Sequence, residues 1–460
     1  MTTEVTTTAT APLADKLDFK KILPVFIIVL IDLLGLTIII PLLPLYAASF
    51  GANAFTIGLL GAAYPVMQFI GAPFLGRLSD RYGRKPVLLV SQLGTLIGFL
   101  ILGLSNSFWL LFLSRVIDGL SGANISTAQA VISDSTNEKT RTQGLGLIGA
   151  AFGLGFVIGP IIAFVSLTVS GNNYHVPALL AAAFSALSIA LTWFWLGETY
   201  PPERRGQGGR KAEISLQSML RALRTPQVGF LLVLMFTQQV AFGGFQQLLS
   251  LFTLSRLGLN ASGNAIIFAF AGLLIVIIQG GLIGMWSRKF GDRRLVQAGL
   301  GLLAIGLLLT ALTPAQPAPW YSRQALTAEF DASRQASGEL GRAASPAGHQ
   351  TPPTQAIQVN LPDDTNKGWL GLAWILVAMI PASIGGSILQ PSVNSLLTRR
   401  VKPDEVGGAL GISAAFLSGA NAWAPVLGGA LFQAFGPAVP FLAGSVLLAV
   451  LWVIAGQAIK

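Results

Sequence analysis

A charged turn occurs twice in this chain, half a chain apart, and it constrains the fold more than any other feature. The first copy, GRLSDRYGRKP, occupies residues 76–86, and the second, GMWSRKFGDRR, occupies residues 284–294. When the two copies are aligned, Gly83 and Gly291 fall in register, and long apolar runs flank both turns. A polar turn repeated between apolar runs predicts a duplicated bundle of membrane helices, an architecture suited to rocking around a central site.

Composition agrees with a protein that crosses a membrane many times. Of the 460 residues, 53% are hydrophobic and 10% are charged, and the mean hydropathy is +0.67. A soluble chain could not bury that much apolar surface, and a membrane-spanning helix needs roughly 20 apolar residues. We therefore predict an all-α membrane protein of twelve transmembrane helices in two pseudo-symmetric six-helix bundles, residues 22–197 and 227–460. The predicted spans are 22–46, 55–75, 86–104, 107–133, 142–168, 177–197, 227–253, 264–286, 295–313, 368–392, 406–433 and 436–457.

The basic residues predict the topology. The chain has a formal net charge of +10, and most Lys and Arg residues fall on one side of the predicted spans. Positive charge gathers on the cytoplasmic side of membrane proteins, so we expect an inner (plasma) membrane protein with both termini in the cytoplasm. The basic charge thus indicates a lipid bilayer as partner and not nucleic acid. We expect residues 1–21 to be a disordered tail, and the first span to act as an uncleaved signal.

Two polar segments interrupt the apolar pattern. The linker, residues 198–226, contains SLQSMLRALR, whose leucines share one helical face; we predict an amphipathic helix on the inner membrane surface, with a plain flexible linker as the alternative. Residues 314–367 form a long insertion in a predicted external loop. For this insertion we expect disorder, with a short helix near residues 324–342 as the alternative.

Several kinds of chemistry find no support in the sequence. Cysteine is absent, and the two histidines, His175 and His349, fall in predicted external loops. No nucleotide-binding loop is present, and no base or metal cluster falls inside the spans. We therefore expect no metal, no cofactor and no enzymatic activity.

Three ionisable residues stand out inside the predicted spans: Asp32, Arg115 and Asp118. A charge near the bilayer centre costs about 2.5–3.5 kcal/mol even on the mildest insertion scale, so such residues face a partner or a water-filled cavity. Arg115 and Asp118, three residues apart, share a helical face. In one interpretation they only neutralise each other and hold the bundle together. In the other, Asp32 and Asp118 border a central cavity and at least one of them exchanges protons.

Four linked motifs resemble the major facilitator superfamily, and most of all its twelve-helix drug/proton antiporters, the group that includes the tetracycline exporters. They are DLLGLTIIIPLLPLY at 32–46, the turn at 76–86, the cluster Arg115-x-x-Asp118-Gly119, and Gly146-x8-Gly155-x3-Gly159-Pro160. The likeness covers nearly all of the first half. The second half resembles the family mainly in its helix count and its repeated turn.

The resemblance implies roles for these residues. Asp80 would be a conformational latch that reaches the start of span eleven, after Pro403, Asp404 and Glu405. Gly76 and Gly83 would let the second and third spans approach closely, and the latch set is Gly76, Asp80, Arg81, Gly83, Arg84 and Lys85. Gly155 and Gly159 would permit tight packing in span five, and the antiporter-type glycine motif is Gly146, Gly155, Gly159 and Pro160. Proton coupling would fall to Asp32 and Asp118, with Arg115 as their electrostatic regulator.

The chain also departs from the family pattern. The glycine motif ends in Ala163-Phe164, where two glycines are usual, and Asp118 stands where an amide is usual. The predicted spans of the second half contain no acidic residue, which weakens the case for tetracycline as the specific substrate and leaves tetracycline-like drugs among the candidates. They offer neutral polar and aromatic groups instead, which suit a bulky amphipathic ligand. The predicted substrate cavity comprises Gln238, Gln239, Phe242, Gln246, Trp374 and Asn421.

These features together favour a secondary active transporter that exports hydrophobic or amphipathic small molecules, such as drugs, in exchange for protons. Its partners would be the substrate, protons and the bilayer, and it would work as a monomer by alternating access. Two alternatives stay open: a proton-coupled nutrient symporter, and a receptor or scaffold of the same fold that does not transport.

Overall fold

The computed structural model describes residues 19–122, 124–136, 141–200, 203, 216–226, 228–344, 359–401 and 406–458. All regular elements in these ranges are helical. The α-helices are α1 Phe19–Ile39, α2 Leu43–Ser49, α3 Ala54–Tyr82, α4 Arg84–Gly103, α5 Phe108–Ser121, α6 Asn124–Asp134, α7 Arg141–Val169, α8 His175–Trp195, α9 Leu216–Arg224, α10 Val228–Leu257, α11 Ala261–Ile277, α12 Ile283–Phe290, α13 Asp292–Ala311, α14 Arg323–Ala344, α15 Leu370–Thr398, α16 Val406–Phe435 and α17 Val439–Ala458. A π-helical turn, Ile278–Leu282, joins α11 to α12.

Two predicted spans are each divided into two helices. The first consists of α1 and α2, which are separated near Pro41, a residue that lacks the N–H a continuous helix would use. The fourth, predicted as 107–133, consists of α5 and α6, and α5 ends at Ser121 before Gly122. Among the described residues, eleven helical segments are long and apolar enough to cross a membrane. The pair α5 and α6, each too short alone, supplies a further crossing, consistent with the twelve predicted.

The repeated turn adopts the same backbone conformation in both halves. Gly83 has φ +108° and Gly291 has φ +79°, values that L side chains rarely adopt. The N–H of Gly83 donates to the Ser79 carbonyl at 3.1 Å, and that of Gly291 donates to the Ser287 carbonyl at 3.0 Å. The duplication is therefore structural as well as sequential. We call the side of the molecule that carries these turns the turn face, and the opposite side, which carries α14, the insertion face.

The two halves meet along two pairs of helices, α3 with α16 and α7 with α11. Glycines permit this contact. A Cβ atom at Gly58 would lie 2.3 Å from the Pro425 carbonyl oxygen, and one at Gly272 would lie 2.1 Å from the Phe156 carbonyl oxygen. Close backbone approach through small residues is the usual way in which membrane helices associate.

Large aromatic side chains are exposed near both faces of the molecule. Trp193 and Phe194 lie at the turn-face end of α8, and Trp320 and Trp369 lie on the insertion face, where their rings contact each other. Tryptophan is enriched at the two borders of a membrane. The exposed apolar surface between these borders is therefore the surface that faces lipid.

The polar segments contain two helices. In the linker, α9 is helical as predicted, and Leu223 packs against the core while Leu220 is exposed. In the insertion, the expectation of disorder is wrong for residues 323–344, which form α14. The alternative, a short helix near residues 324–342, is the one that the structure confirms. The sequence pattern favoured disorder because the apolar residues of α14 are sparse, and because much of its burial depends on contacts with distant loops. Residues 1–18 of the predicted tail lie outside the described residues.

Candidate functional site

Asp32 and Asp118 line one small cavity inside the first half. The cavity has a volume of about 20 Å³, and Tyr64, Thr95 and Phe99 are among the other residues that line it. That volume is room for about one water molecule. The structure thus brings together two carboxylates that are 86 positions apart in sequence. It places their shared cavity among α1, α3, α4 and α5, within one bundle.

Arg115 and Asp118 form a buried ion pair on α5. Nη1 of Arg115 lies 3.1 Å from Oδ2 of Asp118, and each side chain is 3% exposed. The guanidinium also lies over the Phe99 ring, 5.4 Å from its centroid. The Thr95 hydroxyl hydrogen-bonds to the Asp118 carboxylate. The pairing predicted by the structural interpretation is therefore present, and the same carboxylate also faces the cavity.

Tyr64 and Gln68 belong to this cluster, although the sequence analysis did not single them out. The Gln68 amide donates to the Tyr64 hydroxyl at 3.1 Å and to the Gly122 carbonyl at 2.7 Å. The second bond satisfies a carbonyl at the point where α5 ends. The signal in the sequence was two polar side chains four residues apart, on one face of an otherwise apolar helix.

The cluster depends on close packing of α4 against α5. A Cβ atom at Gly98 would lie 2.8 Å from the Cβ atom of Asp118. Gly119 has the same function on the other side, where a Cβ atom would lie 2.5 Å from the Tyr64 carbonyl oxygen. The glycine of the Arg115-x-x-Asp118-Gly119 motif is thus explained by packing against α3.

The turn of the first half is organised around Arg84. This side chain is 4% exposed; Nη1 contacts Oδ1 of Asp80 at 2.8 Å, and Nε donates to Oδ2 of Asp134 at 2.9 Å. Nη1 also donates to the Ser79 hydroxyl at 3.0 Å. Glu198 accepts from the backbone N–H groups of Arg84 and of Lys85, at 3.0 and 3.3 Å, and so caps α4.

The other residues of the predicted latch have separate roles. Nζ of Lys85 donates to the Trp193 carbonyl at 2.7 Å, and the Arg81 guanidinium lies 5.4 Å from the centroid of the Tyr82 ring. The expected target of Asp80, the start of span eleven at Pro403, Asp404 and Glu405, lies outside the described residues. Contact between Asp80 and that span stays a prediction.

The structure does not give the turn glycines Gly76 and Gly83 the packing role that was predicted for both. Gly83 is required by its positive φ, and not by the close packing that was predicted as its reason. A Cβ atom at Gly76 would meet no other atom within 4 Å. The prediction that Gly76 brings two helices together is therefore wrong for this conformation, because that side of α3 faces open space.

The second half carries an equivalent polar cluster around Asp292. This carboxylate, 2% exposed, contacts Nη2 of Arg399 at 2.9 Å and accepts from the Ser395 hydroxyl at 2.6 Å. It also accepts from the Ser287 hydroxyl. The predicted limit of span nine excluded this residue, and α13 includes it. The second half therefore does bury a carboxylate, at the turn face.

The glycine motif of α7 packs against α1. A Cβ atom at Gly159 would lie 2.1 Å from Oγ1 of Thr37, and one at Gly155 would lie 3.5 Å from the Cβ atom of Leu33. The helix continues through Pro160 to Val169. The close packing predicted for span five is thus present at Gly159, where no side chain would fit, and looser at Gly155. The surroundings of Gly146 lie outside the described residues.

The predicted substrate residues occupy different environments. Nε2 of Gln239 donates to Oδ1 of Asn421 at 2.8 Å, which joins α10 to α16. The Phe242 ring is stacked on Phe245 with centroids 6.0 Å apart. Trp374 instead donates its indole N–H to the Leu309 carbonyl of α13 at 2.8 Å. Gln238 is buried and Gln246 half-buried. A role in substrate contact stays a prediction, and the bond of Trp374 to α13 favours a packing role for that residue.

Comparison with known proteins decides the family. The family model described as Major Facilitator Superfamily matches residues 25–327, more than half of the chain. The chain belongs to the major facilitator superfamily. As a superfamily member it is a multi-pass membrane transporter.

Individual superfamily members extend the comparison. The chain is 32% identical over 279 residues to the class B tetracycline resistance protein of Escherichia coli, a match that covers 59% of this chain and 68% of the relative. It is 29% identical over 280 residues to multidrug resistance protein 2 of Bacillus subtilis, covering 59% and 69%. The crystal structure of the nucleoside transporter NupG superposes with a TM-score of 0.69 at 11% identity, covering 96% of this chain and all of the other, which shows a shared fold.

Proposed function

We propose that this transporter exports hydrophobic or amphipathic small molecules of the drug class in exchange for protons, by alternating access. The observation that carries the proposal is the cavity shared by Asp32 and Asp118, with Arg115 beside it. Two carboxylates near one cation, in a space that admits about one water molecule, can hold and release a proton as access to that space changes.

The relatives support the direction of transport. The resistance proteins of Escherichia coli and Bacillus subtilis are named for tetracycline and multidrug resistance. The buried carboxylate of the second half, Asp292, lies at the turn face and is held by Arg399. It is therefore poorly placed to contact a substrate at mid-membrane, so we propose a drug substrate without assigning tetracycline.

The proposed topology places the turn face in the cytoplasm. Both repeated turns are rich in Lys and Arg, and the helix ends opposite them carry few such residues. The insertion face, with α14, would be external. A drug would then enter the path between the two halves from the cytoplasmic side and leave on the side of α14.

Acid-loaded inside-out vesicles provide the test. Tetracycline, ethidium or a fluoroquinolone is added outside, and a trapped pH dye reports proton loss from the lumen. We expect dequenching with at least one compound, and its loss in Asp32→Asn. Asp363→Asn is the matched control, because Asp363 is 80% exposed on the insertion face and far from the acid pair in sequence.

Two results would contradict the proposal at different levels. Dequenching that persists in Asp32→Asn would remove Asp32 from proton coupling. If the protein is shown to be inserted in the vesicles and no compound produces dequenching, the result would argue against antiport. Accumulation of a compound in intact cells expressing the protein would then point to the uptake symporter, the function that the shared fold with a nucleoside transporter keeps open.

A further inference from the structure

Helix α14 docks on the insertion face through one side. Leu326, Phe330 and Ser333 are 5%, 0% and 4% exposed, and they follow the spacing of a single helical face. The Phe330 ring lies 6.4 Å from the Tyr174 ring of the first half. A segment inserted in the second half thus buries apolar surface against the first.

One carboxylate of α14 is bonded to both halves of the transporter. Glu329 accepts hydrogen bonds from Nδ2 of Asn172 at 3.1 Å and from the Tyr174 hydroxyl at 3.4 Å. Both donors lie in the loop between α7 and α8. Glu329 also accepts from Nδ2 of Asn260 at 2.9 Å, and Asn260 lies between α10 and α11. The side chain therefore bridges two loops that belong to opposite bundles.

A second contact of α14 crosses the same junction. The Arg334 side chain donates through Nε to the Ser49 carbonyl at the end of α2, and its Nη1 pairs with Asp331 at 3.4 Å. The segment before α14 is tied to the second half, where the N–H of Ala318 donates to the Leu257 carbonyl at 3.0 Å. Helix α14 is thus held to the second half by the segment that precedes it, and it is bonded to the first half through Arg334.

The junction beneath α14 is closed in this structure. The Ser250 hydroxyl donates to the Pro41 carbonyl at 3.1 Å, and the N–H of Ala54 donates to the Gln433 side chain at 3.2 Å. Both bonds join the first half to the second at the insertion face. A rocking motion that opens this face must separate these pairs, and it must also break the bridge made by Glu329.

The charge state of Glu329 is linked to docking. Burial raises the pKa of this carboxyl from its ordinary 4.5 to about 7, against a smaller lowering by its hydrogen-bond donors. A group with a higher pKa when docked binds its proton more tightly in the docked form. Docking is therefore favoured as the pH falls below about 7, and this gain disappears as the pH rises through 7.

Among the other titratable groups near Glu329, His175 acts against this sign, because its docked imidazole is 2% exposed and burial disfavours the charged form. Burial raises the pKa of Tyr174 well above its ordinary value, so its hydroxyl stays neutral. His175 contacts the Ser333 backbone of α14, the Gly103 carbonyl and the hydroxyl of Tyr46 on α2. A protonated imidazole donates from both nitrogens, so it keeps its contact with the Ser333 backbone. On α14 itself, Asp331 and Arg334 neutralise each other.

We propose that Glu329 is a proton-binding site on the insertion face, and that α14 is a clasp which holds the two halves closed there when that proton is bound. The inference rests on the proposed alternating access, and it adds a second proton site outside the membrane-embedded acid pair. Acid on the external side would close the clasp, which would promote return to the state that receives substrate from the cytoplasm.

Distance measurements between two spin labels test the clasp directly. The chain contains no cysteine, so Leu104→Cys and Leu312→Cys create two unique labelling sites at exposed helix ends. The two positions are equivalent in the repeats, follow α4 and α13, and lie on the insertion face. Pulsed electron paramagnetic resonance in lipid nanodiscs, without substrate or proton gradient, then reports the ratio of closed to open molecules.

The expected result is a pH-dependent ratio that requires Glu329. The closed-to-open ratio should rise by up to about tenfold per pH unit below 7, the limit for one linked proton. In Glu329→Gln the ratio should not rise between pH 8 and 5.5, whereas Asp363→Asn should behave as the parent. Asn172→Gly removes one donor at a position with φ +60°, which glycine adopts freely. This variant should raise the pH at which the closed-to-open ratio begins to increase, because the charged carboxylate loses a hydrogen-bond donor.

Three outcomes would overturn the clasp: a parent ratio insensitive to pH, a Glu329→Gln ratio that follows the parent, or an unchanged onset in Asn172→Gly. If Glu329→Gln fails to fold, the parent and Asn172→Gly still decide the matter. Because the measurement involves no flux, its failure leaves proton-coupled export standing. Dequenching that persists in Asp32→Asn, conversely, says nothing against the clasp.

Discussion

Arg84 and Asp292 occupy equivalent positions in the two repeats and carry opposite charges. Each follows a turn glycine with positive φ, Gly83 or Gly291, and each is almost fully buried. Arg84 pairs with Asp134 at the end of α6, and Asp292 pairs with Arg399 at the end of α15. The duplicated bundles thus keep the same ion-pair architecture at the turn face with the signs exchanged.

The difference in burial between the ion pairs of Arg84 and Arg323 predicts unequal losses of stability. Arg84 is 4% exposed, and Arg84→Met leaves Asp80 and Asp134 without their cation. We expect a loss of about 3–5 kcal/mol, the usual effect of breaking a buried pair. Arg323 is 54% exposed and its partner Asp363 is 80% exposed, so Arg323→Met should cost at most about 1 kcal/mol. Thermal unfolding in detergent measures both, and equal shifts in Tm would contradict this account.

The glycines of α7 provide a second comparison within one helix. Gly159→Ala forces a Cβ atom against Thr37, and overpacking of this kind costs about 1–3 kcal/mol. Gly149→Ala meets no atom within 4 Å, so it should be neutral or slightly stabilising, since alanine favours helices. The Tm of each variant is the measurement. A Gly149→Ala variant as unstable as Gly159→Ala would show that both sites are packed in the dominant state.

Phe242 and Trp374 should separate substrate affinity from stability. Phe242→Ala removes a ring of α10 that stacks only on Phe245 within the described aromatic contacts, and it should raise the half-saturating substrate concentration several-fold. Trp374→Phe loses the hydrogen bond to the Leu309 carbonyl, which should lower stability by about 1 kcal/mol and leave that concentration unchanged. Concentration-dependent flux and Tm, measured on the same preparations, check the pair. The reverse pattern would place Trp374 in the substrate path.

Glu329 should also affect stability in a pH-dependent way. Its pKa of about 7 when docked, against an ordinary 4.5, means that the buried charge opposes docking above pH 7. Glu329→Gln should therefore raise Tm at pH 8, by a free energy of at most about 3 kcal/mol, and change it little near pH 5. Thermal unfolding at the two pH values measures the difference. A gain at pH 5 as large as that at pH 8 would contradict the assigned protonation.

Much of the helix pattern could be predicted because it depends on local chemistry. Apolar runs of membrane length predicted the crossings, and the repeated turn predicted the duplication that Gly83 and Gly291 then displayed. The breaks before Leu43 and after Ser121 were not predicted, because the apolar pattern continues through both. For the insertion, the helix was only the alternative to disorder for a related reason: Glu329 is buried by Asn172, Tyr174 and Asn260, which no local window contains.

By itself, the sequence determined the helical membrane class, the two repeats, and the positions of Asp32, Arg115 and Asp118. These follow from hydropathy and spacing. Only the tertiary structure decided that Asp32 and Asp118 share a cavity, that Arg84 gathers Asp80 and Asp134, and that α14 bridges the halves. Each of these depends on side chains that helix packing brings together. Hydrophobic burial selects which helices meet, but the residues next to a charged side chain in sequence do not reveal its partner.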